Sequence, residues 1–138
     1  MTTTPFHGHC MCGAVRYSVS QPPKWVGHCH CSDCRRHVAG AVATFLGCEE
    51  TAFSLTAGEF SRYTSSPGVQ RMFCGACGTP MAYQSEHIPG EIHLLIGTLE
   101  HPEDFAPVVE VFCKEKLPWL KLEVAGPSFD TLPDMSDG

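Results

Sequence analysis

Cysteine thiols are the residues of this sequence whose spacing points most directly to chemistry. Seven of the nine cysteines fall in three tight clusters, which are Cys10-x-Cys12, Cys29-x-Cys31-x-x-Cys34 and Cys74-x-x-Cys77. A Cys-x-x-Cys turn directs two thiolates at one metal ion, with a zinc–sulfur distance of about 2.3 Å. The opening residues, 1–9, lack the apolar segment of a secretory leader, and in a reducing compartment clustered thiols are more often metal ligands than disulfides. The spacing therefore predicts two zinc ions per chain.

The two outer clusters together predict a closed structural zinc site. Cys74 and Cys77 supply two ligands from one turn, which Gly75 and Gly78 allow to bend sharply. A tetrahedral site needs two further ligands, and the pair Cys10-x-Cys12 is the natural complement. One alternative is that both pairs are buried as small apolar side chains. Another is a redox Cys-x-x-Cys motif, although the βαβ context of such motifs is missing.

The middle cluster predicts a different kind of site. Cys29, Cys31 and Cys34 provide three ligands within six residues, where a strand runs into the start of a helix. Three protein ligands and one open position are the arrangement of a catalytic zinc site, and the positive end of a helix favours thiolates. Another residue could instead close this site and make it structural. The candidates are Cys48, Cys113, His28, His37 and His30, of which His30 lies between two ligands and is expected to point away.

A second division of the same cysteines stays open at the level of sequence. One zinc ion could combine the first pair with two ligands of the middle cluster, namely Cys10, Cys12, Cys29 and Cys31. Cys34 would then remain with the Cys74-x-x-Cys77 motif. Local chelation favours the first division, because Cys34 lies within reach of its own cluster.

Short strands separated by turns must position these clusters. Val15, Tyr17 and Val19 recur with a period of two in segment 13–19, which indicates a half-buried strand. Further strands are expected at 25–28, 41–47, 52–56, 59–64, 69–74, 91–97, 107–113 and 119–124. The clearest helix candidate is 32–39, with Ser32 as its N-cap and Gly40 at its end. The chain is therefore predicted to be mainly β, with few short helices.

Composition and charge bound the other possibilities. The 138 residues fit a single zinc-binding domain over 1–128, followed by an irregular tail over 129–138. A net charge of -6 with only nine Lys and Arg residues argues against a nucleic-acid-binding surface. No stretch approaches the roughly 20 apolar residues that cross a membrane. We expect a cytoplasmic protein that contacts neither nucleic acid nor membrane, and its oligomeric state is left open.

Three motifs carry a resemblance to a known family, which extends over residues 6–128. They are Gly8-His9-Cys10-Met11-Cys12-Gly13-Ala14-Val15-Arg16-Tyr17, Cys29-His30-Cys31-Ser32-Asp33-Cys34-Arg35-Arg36 and Phe73-Cys74-Gly75-Ala76-Cys77-Gly78-Thr79-Pro80. With these motifs the chain resembles the glutathione-dependent formaldehyde-activating enzyme family. The resemblance implies a β-tent fold of short antiparallel strands stapled by zinc. It also implies a structural zinc on Cys10, Cys12, Cys74 and Cys77, and a second zinc on Cys29, Cys31 and Cys34.

The same resemblance implies a carbon–sulfur lyase that joins glutathione and formaldehyde into S-hydroxymethylglutathione. Two departures affect the substrate. The chain is shorter than the members first given that activity, so segments that hold glutathione are expected to be reduced. Glu110 also stands where many relatives carry a histidine, which removes a substrate contact that the position would supply.

The predicted mechanism is activation of a thiol at the open zinc position, so that its thiolate attacks an aldehyde carbon. Arg35 and Arg36 are candidate contacts for a substrate carboxylate, or else solvated helix residues. His30 or His37 could move a proton, although a structural role is favoured for both. Two other functions stay open. One is a zinc-stabilised binding module without activity, and the other is a protein that exchanges zinc at its open site.

Overall fold

The computed structural model describes residues 4–133, which contain ten β-strands, one short α-helix and four single-turn 3-10 helices. The strands are β1 (Phe6–His9), β2 (Arg16–Val19), β3 (Trp25–Cys29), β4 (Ala43–Glu49), β5 (Phe53–Ala57), β6 (Ser61–Ser66), β7 (Val69–Phe73), β8 (Pro80–Ser85), β9 (Glu91–Leu95) and β10 (Val109–Val111). The helix, α1, spans Ser32–Val38. The prediction of a mainly β chain with few short helices is confirmed.

The strands form two sheets. A three-stranded antiparallel sheet has the order β1-β2-β5, and a seven-stranded sheet has the order β10-β3-β4-β9-β8-β7-β6. Neighbours in the larger sheet are antiparallel except β10 and β3, which run parallel. A strand that joins a sheet in parallel orientation needs a longer connection than a hairpin. Residues 96–108 form this connection, and they lead from β9 to β10 at the edge of the sheet beside β3. This connection places Val111 of β10 beside Cys29 of β3.

The larger hydrophobic core contains residues of both sheets, and a smaller one contains Cys29, Cys34, Ala43, Phe45 and Leu95. Burial follows the alternation of the strands. In β2, Tyr17 and Val19 are buried whereas Arg16 is exposed, as the period of two predicts. All five residues of β9 are buried, because this strand is paired on both sides by β4 and β8. The hydroxyl of Tyr17 is satisfied inside the core by the hydroxyl of Thr98, at 2.7 Å.

The helix differs from its prediction at both ends. Cys31, and not Ser32, is the N-cap residue, because its sulfur accepts a hydrogen bond from the backbone N–H of Cys34. At the other end Ala39, and not Gly40, adopts the left-handed conformation, with φ 54°. The start of α1 is therefore fixed by one of the candidate metal ligands.

Three strand predictions need correction. β1 and β8 were not expected, since they begin with or contain Pro, Gly and His residues that are poor in strand preference. The strand expected at 119–124 is wrong, and Trp119 in this segment is 69% exposed. The free edge of β10 is instead taken by a later segment. The N–H of Phe129 donates to the carbonyl of Glu110, and the N–H of Glu110 donates to the carbonyl of Pro127.

The residues after 128 are only partly described. Thr131 accepts a hydrogen bond from the N–H of Phe112 at 2.9 Å, which continues the attachment to the end of β10. The rest of the predicted tail, 134–138, lies outside the described residues. Within 4–133, the structure contains no helix with the length and apolar character that a membrane crossing requires.

Candidate metal centres

Two turns at the ends of different strand pairs build the first cysteine cluster. Cys10 and Cys12 lie in the turn between β1 and β2, and Cys74 and Cys77 lie in the turn between β7 and β8. Their four sulfur atoms all lie within 4.8 Å of one another. Residues that are far apart in the sequence therefore meet at one point, because the two sheets pack with these turns side by side.

The sulfur–sulfur distances of this cluster fit a tetrahedral metal site. They are 3.6 Å between Cys10 and Cys12 and 3.9 Å between Cys12 and Cys74. Zinc–sulfur bonds of about 2.3 Å at tetrahedral angles place neighbouring sulfurs about 3.8 Å apart. A disulfide would need about 2.05 Å. The donor set and its spacing therefore fit zinc and exclude a disulfide among these residues.

Backbone groups shape both turns around the sulfurs. The N–H of Val15 donates to the Cys10 sulfur at 3.3 Å, which stabilises a thiolate. Gly13 and Gly78 each donate an N–H to the carbonyl of the first cysteine of their turn, at 3.1 Å and 2.8 Å. Both glycines have positive φ, 79° and 81°, which a residue with a side chain adopts only with strain. Each turn therefore depends on its glycine.

Thr79 links the two turns, and the sequence analysis did not single it out. Its hydroxyl accepts a hydrogen bond from the backbone N–H of Met11 at 3.0 Å and lies 3.1 Å from the Cys77 sulfur. The hydrogen bonds from Thr79 lower the pKa of the Cys77 thiol to about 5. This thiol is therefore ready to act as a thiolate ligand near neutral pH. Its position two residues after Cys77 was the available signal.

The second cluster lies where β3 passes into α1. Cys29 ends β3, Cys31 caps the helix, and Cys34 is on its first turn. The three sulfurs lie within 4.8 Å of one another, with 3.5 Å between Cys29 and Cys31. The structure thus groups the sulfurs as four and three, and the division that joined Cys29 and Cys31 to the first pair does not describe it. The neighbouring thiols of Cys29 and Cys34 lower the pKa of Cys31.

Within residues 4–133, no fourth His, Cys, Asp or Glu joins the three-sulfur cluster. The candidates for closing it have other neighbours. His28 Nδ1 lies 2.8 Å from the hydroxyl of Thr44, and Cys48 is buried against the carbonyl of Leu46. The ring of His37 accepts a hydrogen bond from Arg71. His30 and Cys113 belong to a separate group with Glu110, so His30 points away from the sulfurs as expected.

Glu110 and Arg35 hold the loop that carries the second cluster. The ring of His30 is fully buried and donates from Nε2 to the Glu110 carboxylate at 2.9 Å, and Lys116 lies 3.4 Å from the same oxygen. The adjacent ammonium makes this group an ion-pair network and a poor site for a cation. Arg35 donates to the backbone carbonyls of His30 and Glu115, both at 2.6 Å. These contacts fix the loop to β10 and the turn that follows it.

A cavity of about 400 Å³ opens beside α1. It is lined by Asp33, Arg36, His37, Tyr63, Ser65, Arg71, Phe73, Gly78 and Pro80. Arg36, predicted as an anion contact, therefore lines the cavity, whereas the guanidinium of Arg35 is engaged with carbonyls. Burial, with Arg71 nearby, lowers the pKa of His37 to about 4, so this ring is neutral at neutral pH.

Fold and site together define a mainly β protein with two cysteine clusters, of which one has four sulfurs and the other three. The sequence matches the family model described as glutathione-dependent formaldehyde-activating enzyme over residues 5–115. The chain belongs to this family.

Known proteins with this similarity come from bacteria and yeast. A Halomonas elongata protein named "Putative glutathione-dependent formaldehyde-activating enzyme" is 29% identical over 129 residues, which cover 84% of this chain and 80% of that protein. An uncharacterized lyase of Schizosaccharomyces pombe is 28% identical over 79 residues, which cover 56% of each chain. A crystal structure of a Rhodobacter sphaeroides protein superposes with a TM-score of 0.61 at 26% identity, and the match covers 71% of this chain and 93% of that one.

Proposed function

We propose that this protein is a zinc-dependent carbon–sulfur lyase of the S-(hydroxymethyl)glutathione synthase type, which makes or breaks the adduct of a thiol and an aldehyde. The observation that carries the proposal is the cluster of Cys29, Cys31 and Cys34, which has three sulfur donors and no fourth candidate ligand among residues 4–133. A catalytic zinc site keeps one position for substrate, whereas a structural site is closed. Membership of the family supports the same reaction class.

The two clusters have different roles in this proposal. Zinc at Cys10, Cys12, Cys74 and Cys77 is structural and ties the turn after β1 to the turn before β8. Zinc at the second cluster, when bound, supplies a position at which a substrate thiol is held as its thiolate at neutral pH. Two residues keep the three cysteine sulfurs in place. Glu110 holds the ring of His30, and Arg35 donates hydrogen bonds to two backbone carbonyls.

The reaction balances without any oxidant or further reactant. In the direction of synthesis, the substrate thiol loses its proton and its sulfur forms a bond to the aldehyde carbon. The C=O π bond breaks, and the oxygen takes up a proton from solvent to become a hydroxyl. In the reverse direction the C–S bond breaks, and the aldehyde and the thiol are released.

Thiol activation fits the charges of the site better than activation of the aldehyde oxygen. Three thiolates against one divalent cation leave a net negative charge, which weakens the metal as a Lewis acid. A substrate thiol needs only to lose its proton near the cation. We therefore assign the thiol, and not the aldehyde, to the second cluster, with the aldehyde reaching it from the cavity beside α1.

The cavity lining suggests where the remainder of a thiol substrate binds. Arg36 and His37 line it from the helix, and Tyr63 and Phe73 line it from β6 and β7. Arg36 is the better placed of the two helix arginines to contact a substrate carboxylate, since Arg35 already donates to two carbonyls. We expect the reaction to occur in the cytoplasm, where a reducing environment keeps these cysteines available.

Exchange spectroscopy by NMR tests the proposed reaction. In a mixture of glutathione and formaldehyde, the zinc-loaded protein is expected to speed the exchange between free formaldehyde and the S-hydroxymethyl adduct. Protein with Cys31→Ser is the control, since serine keeps the helix cap but removes one thiolate. Equal exchange rates with the two proteins would contradict the proposal and favour a zinc-stabilised binding module.

A further inference from the structure

Arg71 is a buried cation that has no carboxylate partner among residues 4–133. It lies on β7, is 8% exposed and forms no ion pair with the acidic residues of this range. A buried charge is costly unless other groups compensate it. The groups that surround its guanidinium therefore indicate which negative charge it compensates.

The guanidinium is directed at the second sulfur cluster and held there from three sides. Its two terminal nitrogens donate to the Cys34 sulfur at 3.7 Å and 3.9 Å. Nε donates to the hydroxyl of Ser65 at 3.1 Å, and Nη1 donates to the ring of His37 at 3.3 Å. The ring of Tyr83 packs against its face, with 5.0 Å from the ring centre to Cζ.

Arg71 also lines the cavity beside α1, so it lies between the cavity and the Cys34 sulfur. A ligand that reached the three-sulfur cluster from the cavity would approach it beside this guanidinium. Three thiolates and a divalent metal carry one net negative charge, and a thiolate as fourth ligand would add another. The positive charge of Arg71 offsets this addition in a site of reduced dielectric.

We propose that Arg71 is a positioning residue that makes the second metal centre selective for an anionic sulfur ligand over neutral ligands. It acts through the Cys34 sulfur, to which it donates two hydrogen bonds, and through its charge beside the cavity. The positive charge favours a ligand that brings a negative charge to the centre and has little effect on a neutral ligand. This inference rests on the proposed function, since it assumes that a thiol binds at this centre.

Ligand titrations of the cobalt-loaded full chain test this selectivity without measuring turnover. The absorption bands of cobalt report binding of 2-mercaptoethanol, which ligates as its thiolate, and of imidazole, which is neutral. Arg71→Met is expected to weaken binding of the thiol by about 10–100-fold, the range typical of groups that orient metal ligands, and to leave imidazole binding unchanged. Arg71→Lys keeps the charge but loses the planar guanidinium, so its thiol affinity is expected to lie between those of the wild type and Arg71→Met.

Arg62→Met is the matched control, because Arg62 is exposed on the neighbouring strand β6 and its loss changes the net charge equally. It is expected to bind both ligands like the wild type. If Arg71→Met does not fold, the ratio of thiol to imidazole affinity in Arg71→Lys decides the question. Wild-type affinities in the Arg71 variants, or an equal loss for both ligands, would overturn the inference alone. A wild-type centre that binds no thiol would overturn the proposed function as well.

Discussion

Replacement of Cys31 by serine is expected to remove one of the two proposed zinc ions and to lower the proposed lyase activity by about 100-fold or more. Loss of a group that only orients a metal ligand lowers metal affinity or activity by about 10–100-fold. Loss of the ligand itself is therefore expected to cost about 100-fold or more. Serine can still cap α1, as the Cys31 sulfur does for the N–H of Cys34. Metal content per chain and the rate of adduct exchange measure the two effects.

Cys113→Ser is the matched control for this substitution. It makes the same chemical change in a cysteine that lies outside both sulfur clusters. This variant is expected to keep two zinc ions and full activity. Retention of both zinc ions by the Cys31 variant, or loss of one zinc ion by the Cys113 variant, would show that the second centre is not built as we describe.

Replacement of Cys77 by serine is expected to remove the other zinc ion and to destabilise the fold. The first cluster joins residues that are 62 positions apart, from Cys12 to Cys74. A cross-link over a loop of this length removes much of the entropy of the unfolded chain, and its loss is expected to lower the Tm by roughly 10–20 °C. The side chain of Cys77 is exposed, so the change removes little packing. Thermal unfolding with and without a chelator measures the effect.

Cys77→His provides the rescue for this experiment. Histidine is an ordinary zinc ligand, so this variant is expected to keep two zinc ions and most of the thermal stability. The Cys31 variant is expected to lose far less stability than Cys77→Ser, because the second cluster closes loops of only a few residues between Cys29 and Cys34. Similar Tm values for Cys77→Ser and the wild type would contradict a structural role for the first cluster.

Local spacing was enough to predict the group of three sulfurs, and it also marked the two pairs that form the group of four. Cys29, Cys31 and Cys34 lie within one strand-to-helix turn, so no knowledge of the fold was needed to group them. The pairing of the turns at Cys10 and Cys74 was harder, because it depends on how two sheets pack. Counting ligands suggested it, since each turn offers two sulfurs and a tetrahedral site takes four.

Arg71 and Glu110 could not be assigned from sequence for a physical reason. Arg71 lies 37 positions from Cys34 and belongs to no motif, so only the sheet order brings its guanidinium to the sulfur. Glu110 drew attention as a departure from the family pattern, but its partner His30 is 80 positions away. Both contacts join residues of different elements, and the periodicity of single strands does not specify them.

The strand predictions failed where sequence preference and tertiary context diverge. The segment 119–124 has the sequence preference of a strand but is irregular, and residues 127–131 pair with the free edge of β10 instead. β8 starts at Pro80 and still forms, because it is enclosed between β7 and β9. In both cases the pairing partners available in the sheet, and not the intrinsic preference of the segment, determine the outcome.

A crystal structure of the protein with glutathione, measured at the zinc absorption edge, would show directly whether the two centres differ as proposed. Two anomalous peaks are expected. One lies among the sulfurs of Cys10, Cys12, Cys74 and Cys77, and the other lies among those of Cys29, Cys31 and Cys34 with a fourth sulfur from glutathione. A single peak, or a protein atom as the fourth ligand of the second zinc ion, would contradict the proposal of one closed and one open site.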